Sequence, residues 1–578
     1  MYTVPQIKKA ILDEKIATEE NFERYAKEAE HKGVPLIEYL MEAGVVAEGV
    51  VYQLLAQSLG KQFINLKDKN IRQDILFSIP EQIAHTHEVV AYDKTDDGVL
   101  QIAAVDADDI ETFEFIEKKN RTPVNVVLTS PSSISEAMRL YRQGLETELK
   151  GLSEGTFAEG EGLPGAKLEQ LAAGLPVIRL VNSLLEYAVF EGASDIHIEP
   201  QEKEVSVRYR IDGILRPVMT LPKNILSGIV ARIKILSNLK LDEHRLPQDG
   251  RFKIDDKNYN ISFRVSTIPV YDGEKLVLRL LDENNQLLHL EDLGFRDSDL
   301  QKIKHSIERP HGMILVTGPT GSGKTTTLYS ILNQLNTQEV NIATIEDPIE
   351  YRMLHVNQSQ VNPKINFTFA SGLRALMRQD PNIIMVGEIR DQETVEIAIH
   401  GAMTGHKVLS TLHTNDAPGT LPRLLDMGVI PFLIVSTVNM VMAQRLVRKI
   451  CQYCIMSYNL DKEAIKQMSD QFDVQSFMEL LHREGLAEEK DKGVGTLLFY
   501  KGKGCKKCGE TGYKGRIGIY EILEISEEIK QLIVNKAHTN DISKKAREQG
   551  MTIMLEDGLI KAKNGITTIE EVLRVTRE

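Results

Sequence analysis

"MILVTGPTGSGKTTTLYSIL", residues 313–332, is the stretch that decides the fold. Met313–Val316 is a short apolar run of the kind that makes a buried strand, Gly318–Thr325 fits G-x-x-x-x-G-K-[ST], and a helix is predicted from Thr326. Glycines in such a loop let successive backbone N–H groups turn inward around phosphate oxygens, and the helix N-terminus adds a favourable dipole. Gly318, Pro319, Thr320, Gly321, Ser322, Gly323, Lys324, Thr325 and Thr326 are therefore candidate nucleotide-binding residues. Lys324 would reach the β- and γ-phosphates and Thr325 would ligate Mg²⁺, so the expected cofactors are ATP and Mg²⁺.

A phosphate loop needs a second polar strand end to handle Mg²⁺ and the attacking water. In "RQDPNIIMVGEIRD" (378–391) the apolar run Ile383–Val386 ends on Gly387-Glu388, so Glu388 is the candidate water-activating base. Gly387 stands where an Mg²⁺-supporting Asp is usual, which shifts that duty toward Glu346 and Asp347 in "NIATIEDPIEY", with Glu350 close behind. "TGHKVLSTLHTND" (404–416) reads as a strand over Val408–Leu412 that ends on His413, with His406 ahead of it. His413 would face the γ-phosphate if its strand neighbours the phosphate-loop strand. The competing reading of each polar strand end is an ordinary solvated junction.

The four cysteines form two C-x-x-C pairs, Cys451/Cys454 and Cys505/Cys508, with 50 residues between the pairs. In a cytosolic chain this spacing reads as a closed Cys₄ shell for structural Zn²⁺ before it reads as disulfides. The chain has 578 residues, 42% hydrophobic and 26% charged, and a net charge of −14, which argues against a protein devoted to gripping nucleic acid. No apolar run approaches the ~18 residues needed to span a bilayer, and the start lacks a signal-peptide core. The expected place is cytoplasmic, with any membrane association through partners.

Along the chain, residues 7–66 hold an imperfect helical repeat at an offset of 29 residues. "GVLQIAAVDADD" alternates like a strand, 143–172 is rich in Gly and Glu as linkers are, and "EVSVRYRIDGIL", "YNISFRVSTIP" and "KLVLRLL" are consistent with a sheet. Arg208 and Arg210 share a strand face by their spacing and read as surface ion-pair partners. The expected organisation is a helical repeat module at 1–70, an α+β N1 domain at 71–142 and a flexible linker at 143–174. An N2 domain at 175–285, an ATPase core at 286–450, a tetracysteine segment at 451–515 and a helical C-terminal region at 516–578 follow.

The phosphate loop, the Glu346-Asp347 box, "GLRALMRQDPNIIMVGEIRD", "TGHKVLSTLHTNDA" and "AQRLVRKIC" together resemble the type II/type IV secretion ATPase family. Upstream, "ASDIHIEP", "VRYRIDGIL", "RLPQDGR" and "FRVSTIP" resemble its N2 domain, so the likeness covers about residues 175–575. The layout is most similar to the type IV pilus assembly (extension) ATPases, with the type II secretion ATPases second. The resemblance implies an α/β RecA-like P-loop core behind an α+β PAS-like N2 domain and a small helical module, with a zinc-ribbon-like tetracysteine insertion. It implies a homo-hexamer that works on an inner-membrane platform protein, peripheral to that membrane and without nucleic acid. Catalytic positions implied by it are Glu388, Lys324, Glu346, Asp347 and His413, with Arg264 in "FRVS" and Arg279 in "VLRLL" as arginine fingers and Arg516 behind them. The N-terminal repeat resembles a cyclic di-GMP-binding module. It has Gly44 and Gln57 in the second copy but Lys15 and Glu28 in the first, so a plain docking role ranks ahead of dinucleotide binding. Two other classes of function fit less well: a nucleotide-gated docking scaffold with little turnover, and a DNA or RNA translocase, which shares the P-loop core but is disfavoured by the acidic balance.

Overall fold

The computed structural model describes residues 2–577 except 3, 15, 33, 68, 70, 139, 142–174, 257–258, 283–287, 461, 470–473 and 489–492. The linker expected at 143–174 therefore lies outside the described residues. The chain divides into two compact units, Met1–Asp282 and Glu283–Glu578.

The first unit begins with four helices, Val4–Asp13, Glu19–Lys32, Leu36–Glu42 and Glu48–Ser58, in two helix–turn–helix copies as the repeat implied. A three-stranded sheet follows: β1 (Val89–Lys94) pairs antiparallel with β2 (Leu100–Ala104), and β2 pairs parallel with β3 (Val124–Leu128). The parallel step needs a crossover, supplied by the helix Ile110–Asn120. After the helix Leu175–Phe190 comes an antiparallel sheet of β4 (Asp195–Pro200), β5 (Glu204–Ile211), β6 (Ile214–Pro222), β7 (Gln248–Asp256), β8 (Tyr259–Val270) and β9 (Gly273–Asp282). Its strand order is β6-β5-β4-β9-β8-β7. Alternation decides its faces: Ile196, Ile198, Val205, Val207, Tyr209, Phe263, Val265, Leu276 and Leu278 are buried, and the residues between them point outward.

The second unit is built on a seven-stranded sheet, in chain order β10 (Gly312–Thr317), β11 (Ile342–Glu346), β12 (Val356–Gln360), β13 (Ile383–Val386), β14 (Lys407–Leu412), β15 (Val438–Ile450) and β18 (Tyr513–Glu524). Between the last two lies the hairpin of β16 (Ile455–Asn459) and β17 (Leu498–Gly502). The spatial order is β12-β11-β13-β14-β10-β15-β18, all parallel except β18. The central strands β10, β11, β13 and β14 are buried at every position because helices cover both faces. Met313 and Leu315 join the core on one face and Ile314 and Val316 the core on the other; Ile384 and Val386 divide from Ile383 and Met385 in the same way. Residues 516–524, placed by sequence in the helical C-terminal region, belong instead to the edge strand β18; helices begin at Glu527. No helix among the described residues is long and apolar enough to cross a membrane.

A buried ion pair fastens the C-terminal helix Met554–Lys563 to that edge strand. Lys561 Nζ lies 2.7 Å from Asp557 Oδ2 and donates to Gly518 O at 2.7 Å, while Asp557 Oδ2 also accepts from Tyr520 N at 2.8 Å. Removing Lys561 leaves the buried Asp557 carboxylate with only the charge of Arg296, 3.6 Å from its other oxygen, to answer it, whereas replacing both members of a buried pair with apolar groups is close to neutral. Lys561→Met is expected to lower the unfolding free energy by about 3–5 kcal/mol in denaturant titration. The double variant Asp557→Leu/Lys561→Met is expected to recover most of that loss.

Candidate functional site

Parallel pairing carries the carboxyl ends of β10, β11, β13 and β14 to one edge of the sheet, where ligands bind in open α/β sheets. β14 pairs directly with β10, Thr317 opposite Leu412, so the loop carrying His413 stands beside the phosphate loop. Thr317 Oγ1 accepts from Thr414 N at 2.8 Å and lies 2.7 Å from Thr414 Oγ1, which fastens the two loops together.

The phosphate loop leaves β10 at Gly318 and enters the helix Lys324–Leu335 through Gly323. Gly318 has φ +144°, and a Cβ there would stand 2.5 Å from Gln444 O; Gly323, at φ +90°, is the αL residue that starts the helix. β15 forms the back wall. Gln444, almost fully buried, donates from Nε2 to Ser322 O at 2.8 Å and accepts from Thr327 Oγ1 at 2.9 Å, so one amide fixes both the loop and the first helical turn. Ser322 Oγ is buried without a hydrogen-bond partner among the described residues, a donor that a phosphate oxygen would satisfy. Lys324 Nζ donates to Gly318 O at 2.8 Å and Pro319 O at 3.1 Å. Burial pushes its ammonium down to about 8, against the pull of Glu388 and with the repulsion of Arg445.

Glu388 sits just past β13, held by Arg390 at 2.6 Å on Oε1 and by His413 Nε2 at 3.2 Å on Oε2. Lys324, Glu388 and His413 are thus brought into one electrostatic neighbourhood. Gly387 is wedged against the end of β11: its N donates to Ile345 O at 2.8 Å, and an added Cβ would meet Glu346 Cα at 3.3 Å. Glu346 and Asp347 diverge. Glu346 is buried; Tyr329 OH donates to it, as do Thr344 Oγ1 at 2.5 Å and Gln358 Nε2 at 3.1 Å, and burial raises its pKa. Asp347 is exposed and acts electrostatically on Arg390. His406 Nδ1 is 2.8 Å from Gly401 O at the end of the preceding helix, and Arg516 is on β18 opposite Arg448.

In the first unit Arg279 Nε donates to Asp195 Oδ1 at 2.9 Å, Arg210 lies 3.3 Å from the other oxygen, and Arg208 is paired with Glu199 at 2.7 Å. Arg264 is exposed and directly opposite Arg279.

Two residues of the second unit were given no role by the sequence. One is Gln444, on β15. The other is Glu521, whose Oε1 accepts from Ala417 N at 2.9 Å beneath the His413 loop and whose carboxyl burial pushes up to about 7. Only their neighbours across the sheet give either one meaning.

The cysteines converge. Cys451 and Cys505 Sγ are 3.8 Å apart, Cys454 and Cys508 3.9 Å, Cys505 and Cys508 3.7 Å, and all four ligand atoms lie within 4.8 Å of one another. A disulfide would need about 2.05 Å. A tetrahedron with Zn–S near 2.3 Å has edges of about 3.8 Å, so the donor set fits a closed tetrathiolate site. Backbone N–H groups of Cys505 and Gly512 approach Cys508 Sγ at 3.2 Å each, as suits a charged sulfur.

Residues 170–574 match the family described as Type II/IV secretion system protein, and residues 59–148 match the MshEN domain. The type IV pilus assembly ATPase PilB of Myxococcus xanthus is 38% identical over 97% of both chains. The type II secretion system ATPase E of Vibrio cholerae is 45% identical over 74% of this chain and 80% of its own. Among solved structures, the ATPase DotB of Yersinia pseudotuberculosis superposes with a TM-score of 0.50 at 22% identity, covering 69% of this chain and 93% of that one, which establishes the shared fold.

Two measurements check the site. Triphosphate favours the charged form of Lys324, so ATP binding near pH 8 should take up protons, and affinity should fall as pH rises from about 8 toward the ordinary lysine range. Calorimetry in buffers of different ionisation heat reads the uptake, which Lys324→Met should abolish. Purified protein should carry about one zinc per chain by elemental analysis. Cys508→Ser should lose the metal and lower the thermal midpoint.

Proposed function

The chain belongs to the type II/IV secretion system protein family and is an ATPase, and from that premise we propose that it is the motor of type IV pilus assembly. One observation carries the choice of machine: the likeness to a pilus assembly ATPase runs over 97% of both chains, N-terminal region included. A second reading, the type II secretion ATPase, is favoured by the higher identity, 45%, to the Vibrio cholerae protein over the shorter 74%.

In the proposed cycle Lys324 and the loop N–H groups hold the β- and γ-phosphates and Thr325 ligates Mg²⁺. Glu388 takes the proton of the attacking water, kept in place by Arg390 and His413. Of the two acids after β11, Asp347 is the exposed one and would support the Mg²⁺ shell. Glu346, its oxygens occupied by three donors, ties β11 to the phosphate-loop helix through Tyr329. Arg264 and Arg279 neutralise charge on the transferred phosphoryl group. The working form is a homo-hexamer that reaches the inner membrane through a platform protein and adds pilin to a growing fibre; its place is the cytoplasmic side of that membrane. The tetracysteine site holds structural Zn²⁺. The MshEN match begins at residue 59, past most of the helical repeat in which the dinucleotide signature is incomplete, so the repeat is assigned to docking and cyclic di-GMP binding ranks behind it.

Glu388→Gln is expected to bind ATP like the unmodified protein and to lose at least about 10²-fold in kcat. A Lys324→Ala strain is expected to be bald of pili with protein secretion intact. Pili with failed secretion would select the type II reading, and a wild-type protein that turns over no ATP with its platform partner present would sink the motor.

A further inference from the structure

Glu521 is a buried acid that the proposed cycle does not use, and strand register puts it in line with the site. Leu412 on β14 lies opposite Thr317 on β10, Thr317 opposite Ala443 on β15, and Ala443 opposite Glu521 on β18. Residues directly opposite share a face, and alternation gives Glu521 the face of Ile519 and Leu523. Those two belong to one apolar core with Leu412, Ala443, Ala417 and Met554, so the carboxyl is sunk among hydrocarbon.

The loop that carries His413 crosses this row and is tied down on both sides of the crossing. On the β10 side Thr414 N donates to Thr317 Oγ1 at 2.8 Å, and on the β18 side Ala417 N donates to Glu521 Oε1 at 2.9 Å. Ala443, between the two ties, presents only a methyl group. Met554 N, at the start of the helix Met554–Lys563, donates to Glu521 Oε2 at 3.4 Å, so one carboxyl joins that helix to the loop. The place disfavours a charge. Burial, with like charge from Asp416 in the loop and Glu556 on the helix, pushes the carboxyl up to about 7, and Arg445 on β15 opposes them. A leucine would fill the space without that penalty but would leave the buried Ala417 N unpaired. What the acid adds is the tie to the loop, and at the near end of that loop His413 Nε2 stands 3.2 Å from Glu388 Oε2.

We propose that Glu521 is a positioning residue for ATP hydrolysis: by holding Ala417 N it sets the place of His413 against Glu388, and by taking Met554 N it joins the C-terminal helices to that setting. The proposal rests on the reading of Glu388 as the base steadied by His413. The hydrogen bonds of Glu521 go to neither the phosphate loop nor Lys324, so it acts on the chemical step and not on ATP binding.

The test uses full-length protein. Glu521→Asp keeps the charge but draws the oxygens back by one carbon–carbon bond, ~1.5 Å, out of hydrogen-bond reach of Ala417 N. It is expected to lower kcat at least about 10-fold with KM for ATP unchanged, since a misplacement of ~1 Å can cost about 10²-fold. Glu521→Gln keeps the length and an acceptor, and should retain more activity than Glu521→Asp. The reverse order, or an ATP affinity that falls with kcat, would overturn the proposal. On a His413→Ala background Glu521→Asp should cost little more, and additive losses would count against action through His413. Hydrogen exchange in Lys324→Ala protein reads the tie without turnover: amides of 413–418 should exchange faster when Glu521→Asp is added, with the phosphate loop unchanged. Unaltered exchange there would show that Glu521 does not hold the loop, whatever the ATPase does, and faster exchange throughout the second unit would reduce Glu521 to a fold residue. Faster exchange confined to the loop, with kcat untouched by both Glu521→Asp and His413→Ala, would overturn the proposal through the reading of His413 and not through the tie.

Discussion

With β10 flanked by β14 on one side and β15 on the other, all three parallel, the phosphate loop has a wall on each side before any ligand arrives. The polar groups delivered to that edge have to be satisfied there by one another. Thr317 and Thr414 do so on the β14 side, and Gln444 does so on the β15 side, where it meets Ser322 O and Thr327 Oγ1. What remains unsatisfied, Ser322 Oγ, and what is only weakly engaged, Lys324 Nζ on two loop carbonyls, are groups that a phosphate can use. The loop is therefore shaped by its neighbours and kept available at the few atoms that bind.

The two acids at the end of β11 show how the same logic separates structure from chemistry. Glu346 ends its strand facing inward, and three donors meet it, one of them from the helix that starts at the phosphate loop. A carboxyl so placed couples the end of β11 to that helix, so movement of one is felt by the other. Glu388, one strand over, is answered by Arg390 and His413, both substantially exposed, and keeps an approach from solvent. A buried acid with a full set of donors holds parts together, whereas an acid answered by mobile surface groups can trade them for water.

Legibility in the sequence followed the range of the constraint. The phosphate loop was legible because a tight anion-binding turn demands particular residue types at fixed spacing. The central strands were legible because burial on both faces demands unbroken apolar runs. The convergence of Cys451, Cys454, Cys505 and Cys508 followed from C-x-x-C spacing alone. The roles of Gln444 and Glu521 were not legible, because a buried polar residue in a strand acquires a role only from the segment packed against it, here Ser322 at 122 positions from Gln444 and Ala417 at 104 from Glu521. β18 was cut at 516 because a strand that pairs antiparallel at a sheet edge after a long insertion has no sequence neighbour to announce it.

β15 and β18 also explain why a metal site belongs in this molecule. They run antiparallel from Met440 opposite Glu524 to Ile450 opposite Tyr513, and Gln444, opposite Tyr520, lies within that ladder. From Gln444 to Ile450 the ladder extends about 20 Å beyond the phosphate loop, at ~3.4 Å per residue, and Cys451 follows β15 directly while Cys508 lies shortly before β18. The insertion between the strands is long, and closing so long a loop without a cross-link is entropically unfavourable. A metal held by the four thiolates would tie the two ends of that insertion together at the end of the ladder. Gln444 itself is placed by the pairing of β15 with β10, which runs to Thr317 opposite Ala443.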